Sequence, residues 1–157
     1  MNEAVVRALT STVSGIFSRL FGEEPEAGPP TPVWLERFRC TMAGVVGLAG
    51  ARSGLLAVHA DREGVESLAR RLVPSPGDAD LRDTISELAN MIAGNLGMHA
   101  RGALPVLASS LPSVIEGENF YVRFVGAVER VILPFTFGDV RFVVELVLEH
   151  PGGARHD

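Results

Sequence analysis

The strongest structural signal in the chain is in residues 79–99, ADLRDTISELANMIAGNLGMH. Apolar residues recur there every three or four positions, which predicts an amphipathic helix with one face on a hydrophobic core. The core-facing set consists of Leu81, Ile85, Leu88, Ala89, Ile92 and Leu96. Asp78 or Asp80 is the expected N-cap, and Gly102 and Pro105 end the region.

The face opposite this apolar stripe carries polar groups. At 3.6 residues per turn, one narrow stripe holds two carboxylates, a carboxamide and a glycine: Asp83, Glu87, Asn90 and Gly94. Glycine inside a helix costs about 1 kcal/mol relative to alanine, so Gly94 needs a reason. One reason is clearance, because no side chain then blocks a partner that approaches Asn90. Asn95 lies at the flank of the core face and is interpreted as structural.

Before this helix, the chain predicts a long helix, a loop, a β-hairpin and a short helix. The corresponding residues are 2–21, 22–34, 35–48 with 55–60, and 62–72. Four prolines exclude helix and central strand from the loop. The alternation of Phe38, Cys40 and Met42 with polar residues indicates a half-buried strand. Asp61 is the expected N-cap of the short helix, whose apolar face includes Leu72.

After residues 79–99, an irregular segment is expected, followed by three strands and a flexible tail. These elements are placed at 103–117, at 119–128, 130–137 and 140–148, and at 150–157, with a tight turn at Gly138-Asp139. A long helix followed by a hairpin therefore occurs twice, in residues 2–60 and 79–148. This order predicts a single pseudo-symmetric α/β (α+β) domain over residues 1–157, a mainly antiparallel sheet with long helices packed on one face.

Composition excludes several classes of function. The net charge of −5 argues against nucleic acid as the main partner, because phosphate binding needs a basic surface. The single cysteine, Cys40, excludes an internal disulfide, which fits a reducing cytoplasm, and it is interpreted as a core residue. The four histidines show no zinc-ligand spacing, so no bound metal is expected. No apolar run is long enough for a transmembrane helix, and no membrane insertion is expected.

The spacing Asp83-xxx-Glu87-xx-Asn90 resembles the signature of the CheC/CheX/FliY phosphatases. The run at 86–95 looks like the active helix of that family, and Pro112 is the candidate for the proline that the family places downstream. The resemblance covers nearly the whole chain. It is to the CheX-like branch, because the first predicted helix lacks a second Glu-x-x-Asn motif, which predicts a single site.

The resemblance implies a cytoplasmic phosphatase of two-component signalling, as in chemotaxis. Its substrate would be a CheY-like response-regulator receiver that carries phosphate on an aspartate. Asn90 would orient the attacking water, and Glu87 would pair with the receiver's lysine. Asp83, Met91 and Gly94 would contribute to docking. The receiver would supply Mg²⁺, so this chain would bind no cofactor, and the dimers of the family imply a homodimer.

Alternatives to catalysis stay open. The chain could bind phosphorylated receivers without turnover, or serve as a structural, dimer-forming module of a signalling or flagellar assembly. Glu87 and Asn90 could also be two solvated residues on an outer helix face. Other enzyme classes are not indicated, because the sequence has no Gly-x-Ser-x-Gly motif, no phosphate-cradling glycine-rich loop and no Cys/His pairing.

Overall fold

The computed structural model describes residues 3–32, 38–100, 104, 106–120, 126 and 128–150. Within these ranges, three helices pack on one face of a seven-stranded sheet. The helices are α1 (Glu3–Phe21), α2 (Arg62–Arg70) and α3 (Asp78–His99). The strands are β1 (Glu26–Ala27), β2 (Met42–Gly50), β3 (Gly54–Ala60), β4 (Val106–Ser109), β5 (Ser113–Glu116), β6 (Val128–Phe137) and β7 (Val140–Glu149).

The sheet is built around two hairpins that lie side by side. Its strand order is β1-β6-β7-β3-β2-β4, with β5 also paired to β2, and the pairings are antiparallel. The hairpins β2–β3 and β6–β7 meet at the centre, where β3 pairs with β7 from Gly54↔Leu148 to Ala60↔Phe142. The predicted architecture, a helix and a hairpin repeated around a mainly antiparallel sheet, is confirmed.

Each long helix packs on the hairpin of the other half of the chain. α3 lies mainly on β2. α1 places Phe17 against Phe142 of β7 and Phe137 of β6, with ring centroids 4.9 and 5.1 Å apart. Such aromatic pairs contribute about 0.5 to 1.5 kcal/mol beyond the area that they bury. Because each half covers the sheet of the other, neither half can bury its apolar surface alone.

α3 sits on the sheet at a glycine of β2. A Cβ atom built on Gly44 would lie 2.4 Å from the backbone oxygen of Ile85 and 3.2 Å from the Cβ of Ala89. Heavy atoms cannot approach that closely without displacing the helix backbone, so only glycine allows this contact. The position of α3 over the sheet therefore depends on the absence of a side chain at residue 44.

The predicted start of the first strand is wrong. β2 begins at Met42, while residues 38–41 precede it and residues 33–37 lie outside the described part of the chain. Cys40 and Met42 were predicted to share a face, but Met42 packs in the core under the helices and Cys40 belongs to a cluster on the other side of the sheet. The chain bends at Thr41, so the alternation of a strand does not continue through it.

The segment predicted to be irregular, 103–117, instead contains β4 and β5, which both pair with β2. Each has four residues, which is too short for a clear periodic signal.

The strand predicted over 119–128 is only partly described. Asn119 and Phe120 lie outside any strand, and Val128 begins β6, while 121–125 and 127 lie outside the described residues. Asn119 has a left-handed φ of 51°. The tail is described only at His150.

Helix ends differ from the sequence prediction at two places. The N-cap of α3 is Gly77, not Asp78 or Asp80; the Asp80 carboxylate accepts a hydrogen bond of 2.9 Å from the Gly77 amide. α2 ends at Arg70, so Leu72 lies beyond the helix and is 45% exposed instead of buried. The predicted cap of α2 is confirmed, because Asp61 accepts a hydrogen bond of 2.7 Å from the Gly64 amide.

The sheet face opposite the helices carries a small buried cluster with charged groups. His59 and Glu145 have no exposed surface, and His59 Nε2 lies 3.1 Å from Glu145 Oε1. Arg130 donates from Nε to the other carboxylate oxygen at 2.6 Å. The three residues are diagonal neighbours on β3, β7 and β6. A shifted register would leave the Glu145 carboxylate buried without these partners, so the network stabilises the alignment of the central strands.

Cys40 and His59 meet in this cluster, so the expectation of no Cys/His pairing is wrong. Cys40 Sγ lies 3.5 Å from His59 Nδ1, and the order thiol, imidazole, carboxylate is that of a nucleophile site. However, Cys40 is completely buried, and this burial raises the pKa of its thiol to about 12. A reactive cysteine needs access and a lowered pKa, so the group is structural.

Replacement of Gly44 by alanine tests the contact between α3 and β2. We expect Gly44→Ala to lower the free energy of unfolding by about 1 to 3 kcal/mol, as for other overpacked cores. Urea denaturation followed by circular dichroism measures this change. An unchanged midpoint would contradict the tight contact.

The burial of the Cys40 thiol predicts that it does not react with alkylating reagents in the folded protein. Because Cys40 stays protonated and inaccessible, we expect no alkylation by iodoacetamide in the folded protein at about pH 8, and full alkylation in urea. Mass spectrometry of the intact chain gives the stoichiometry. Rapid, complete labelling under native conditions would show that the cluster on this face is open.

Candidate functional site

The outer face of α3 presents the polar stripe that the sequence predicts. Asp83, Glu87 and Gly94 are exposed, and Asn90 is half-buried. All six residues of the predicted core set are buried: Leu81, Ile85, Leu88, Ala89, Ile92 and Leu96. The helix therefore separates an apolar face on the sheet from a polar face in solvent, as its amphipathic pattern predicts.

Contacts on both sides of α3 fix the direction in which this face points. Near its beginning, Arg82 donates from Nε to Glu116 of β5 at 2.8 Å. Near its end, His99 Nδ1 lies 3.1 Å from the buried Thr12 hydroxyl of α1. Together with the seat on Gly44, these contacts hold the helix against rotation. A side chain on the outer face is thus presented by a rigid element, which suits a group that must be positioned.

Glu87 and Asn90 are neighbours on this face. They are three residues apart on the helix, which corresponds to about 4.5 Å along its axis. Within the described residues, neither side chain has a hydrogen-bond partner, and neither is in an ion pair. A carboxylate and a carboxamide are thus available together to an incoming molecule.

The other predicted docking residues differ in their surroundings. A Cβ atom added at Gly94 would meet nothing within 4 Å, so nothing inside the described structure requires a glycine there. Met91 is partly buried against the core and offers only part of its surface. Asn95 donates from Nδ2 to the Met91 carbonyl at 2.7 Å, which agrees with its structural interpretation.

A pocket beside Glu87 was not predicted from the sequence. It has a volume of about 250 Å³ and forms where the end of α1, the chain after α2 and the first half of α3 meet. Its lining consists of Leu20, Leu72, Val73, Asp80, Asp83, Thr84, Glu87 and Leu88. The sequence offers little signal for it, because Leu72 was assigned to the buried face of a longer α2.

The site does not have the composition of a metal centre. Among the described residues, no three or more His, Cys, Asp or Glu side chains are placed to hold a metal ion. Nor does any helix in this part of the chain have the length and apolarity needed to cross a membrane. What the outer face of α3 can offer is hydrogen bonding through Asn90 and negative charge through Glu87.

Solved structures share this fold. A CheC-like superfamily protein from Shewanella sp. PV-4 superimposes with a TM-score of 0.83 at 17% identity, over 95% of this chain and 99% of that chain. The chemotaxis protein CheX from Desulfovibrio desulfuricans gives 0.80 at 21% identity, over 92% and 99%. CheX in a CheX–CheY–BeF₃–Mg²⁺ complex from Borrelia burgdorferi gives 0.77 at 24% identity, over 93% and 98%.

Sequence comparison assigns the chain to a protein family. No curated protein sequence is significantly similar to it. The family described as chemotaxis phosphatase CheX matches residues 42–136, which is more than half of the chain and includes all of α3. The chain therefore belongs to the CheX family of chemotaxis phosphatases.

Proposed function

We propose that the chain accelerates hydrolysis of the aspartyl phosphate on a phosphorylated CheY-like receiver. The observation that carries this proposal is the pair of exposed Glu87 and half-buried Asn90 on the outer face of a rigid helix, inside the span that matches the CheX family. In this proposal Asn90 orients the attacking water, and Glu87 docks on the receiver's lysine.

The chemistry needs little beyond positioning. An aspartyl phosphate is an acyl phosphate and is intrinsically reactive, so holding a water in line with phosphorus supplies much of the acceleration. A carboxamide both donates and accepts, so the side chain of Asn90 can hold that water without acting as a base. The half-buried position of Asn90 limits its rotamers, which favours a fixed direction of approach.

Glu87 has a different task in the proposal. Its carboxylate is exposed, and within the described residues it has no cationic partner. A lysine of the receiver can therefore pair with it, which sets the orientation of the complex more than its affinity. Asp83, Met91 and Gly94 extend the docking face along α3.

The proposed partner also provides the metal. CheX of Borrelia burgdorferi has been crystallised with CheY, BeF₃ and Mg²⁺, and its fold is shared by this chain. We propose that Mg²⁺ belongs to the receiver here too, so that this chain binds no cofactor of its own. The same proposal places the protein in the cytoplasm, in a two-component pathway, and has no role for nucleic acid or membrane insertion.

A homodimer is part of the proposal. The outer side of β4 and β5 is an edge of the described sheet, and Leu111 between them is 88% exposed. An open strand edge with exposed apolar surface is suited to pairing with a second copy. By contrast, Phe135, Phe137 and Phe142 are buried under the helices and cannot form such an interface.

Removal of the carboxamide tests the role of Asn90. With a CheY-like receiver of the same organism, we expect wild-type protein to shorten the lifetime of the aspartyl phosphate, and Asn90→Ala to lose about tenfold or more of that acceleration. Glu87→Ala should also weaken the acceleration, because the complex loses the ion pair that orients the receiver. Loss of radiolabelled phosphate from the receiver measures both effects.

Asn95→Ala is the matched control, since it removes a carboxamide from the same helix that is hydrogen-bonded within it. This variant should retain most of the wild-type rate. If wild-type protein leaves the lifetime unchanged with several receivers but still binds them, the chain is a binding module and the catalytic proposal fails. Equal loss in the Asn90 and Asn95 variants would instead indicate a structural effect.

Gly94 separates stability from activity. We expect Gly94→Ala to raise the free energy of unfolding by about 1 kcal/mol, because alanine favours the helix and meets nothing within 4 Å. The same variant should slow receiver dephosphorylation, because a methyl group then stands beside Asn90. Urea denaturation and phosphate release give the two values.

Gly15→Ala in α1 provides the comparison, since Gly15 also lies in a helix with nothing within 4 Å of an added Cβ. It should stabilise the protein by a similar amount and leave the rate of phosphate release unchanged. A Gly94 variant that is as active as wild type would remove the argument for clearance.

A further inference from the structure

We propose that the pocket beside Glu87 receives an apolar side chain of the receiver that is flanked by a lysine or arginine. This inference rests on the proposed function and adds a specificity subsite to it. It assigns a role to Leu72 and Val73, which lie outside the predicted motif.

The shape and lining of the pocket indicate an apolar occupant. Its volume of about 250 Å³ is sufficient for one large side chain, and its apolar wall is formed by Leu20, Leu72, Val73 and Leu88. Leu72 is one of the few large apolar side chains of the described residues that remain exposed, at 45%. Covering such a side chain removes apolar surface from water, which favours association with a partner.

The charge of the rim indicates what accompanies that side chain. Asp80, Asp83 and Glu87 line the pocket from the α3 side. Within the described residues, no arginine forms an ion pair with any of the three. An acidic segment would be repelled by this rim, whereas a basic side chain beside the apolar one would be attracted.

The arginine that precedes Leu72 in the chain is engaged in other contacts. Arg71 precedes Leu72, yet its guanidinium lies over the rings of Phe21 and Phe137, at 5.5 and 4.9 Å from their centroids. It also lies 3.4 Å from the Glu23 carboxylate. These contacts hold Arg71 away from the carboxylates of α3, so the negative charge of the rim is left for a partner.

The pocket is continuous with the proposed catalytic face. Glu87 belongs to both, and Asn90 follows about 4.5 Å further along the helix axis. A receiver that presents its phosphorylated aspartate to Asn90 must therefore cover the mouth of the pocket with the surface next to its own active site. Receivers that have an apolar residue beside a basic one at that place are bound, and those with acidic residues there are rejected.

The test compares Leu72→Ser with Ile115→Ser. Ile115 is similarly exposed, at 38%, but its neighbour Val114 packs against the core under the helices, so Ile115 faces away from them. Binding to a CheY-like receiver loaded with BeF₃ and Mg²⁺ is measured by calorimetry. We expect Leu72→Ser to raise the Kd roughly fivefold, and Ile115→Ser to leave it unchanged.

Salt dependence tests the basic neighbour. Affinity of the wild-type protein should fall as salt rises, and Asp83→Asn should make this fall shallower, because one carboxylate of the rim is gone. In turnover experiments, Leu72→Ser should raise KM by a larger factor than it lowers kcat, whereas Asn90→Ala should act mainly on kcat.

The outcomes separate the two proposals. If wild type binds and dephosphorylates the receiver but Leu72→Ser binds as tightly as wild type, the pocket inference is wrong and the proposed function stands. If wild type binds without accelerating hydrolysis, the catalytic proposal fails, and the Kd comparison still decides the role of the pocket. If wild type neither binds nor hydrolyses any receiver tested, both proposals are wrong.

Discussion

The close approach of α3 to β2 at Gly44 is the contact on which the rest of the structure depends. Ile85 and Ala89 lie where a side chain of residue 44 would otherwise be, so the helix lies on the sheet at one height and one rotation. That rotation buries the apolar stripe and turns the stripe of Asp83, Glu87, Asn90 and Gly94 outward. The function that we propose needs a water molecule held in one orientation. A helix fixed in this way also fixes the position of the Asn90 side chain that would hold the water.

The sheet beneath the helix is stabilised from its other face. Glu145 on the central strand β7 is completely buried and is contacted by His59 of β3 and Arg130 of β6, so a single carboxylate joins three strands. The packing of each long helix on the hairpin of the other half also stabilises the sheet, because α1 packs on the hairpin that follows α3. Such a domain holds its outer surface still, which suits the role that we propose for Asn90 in the active site of a receiver.

The sequence predicted the parts of this structure that have a strong period or a clear cap. The core face of α3, the Asp61 cap and the doubled order of helix and hairpin are confirmed, because each depends on local chemistry. Prediction from the sequence failed where the local structure depends on tertiary contacts. β4 and β5 are short strands defined by their pairing with β2, Cys40 changes face at a bend, and Gly77 replaces an aspartate as the cap of α3. The pocket at Leu72 was missed for the same reason, since three separate segments form it. The roles of Glu87 and Asn90 came from resemblance to a family and stay a prediction.

Chemical-shift mapping tests most directly whether the outer face of α3 binds the receiver. The isotope-labelled chain is titrated with a CheY-like receiver loaded with BeF₃ and Mg²⁺. If the outer face of α3 is the site, the side-chain amide of Asn90 and the backbone amides of Glu87 and Gly94 shift, together with those of Leu72 and Val73. Shifts confined to the edge formed by β4 and β5, or to the face that buries Glu145, with α3 unchanged, would contradict the account.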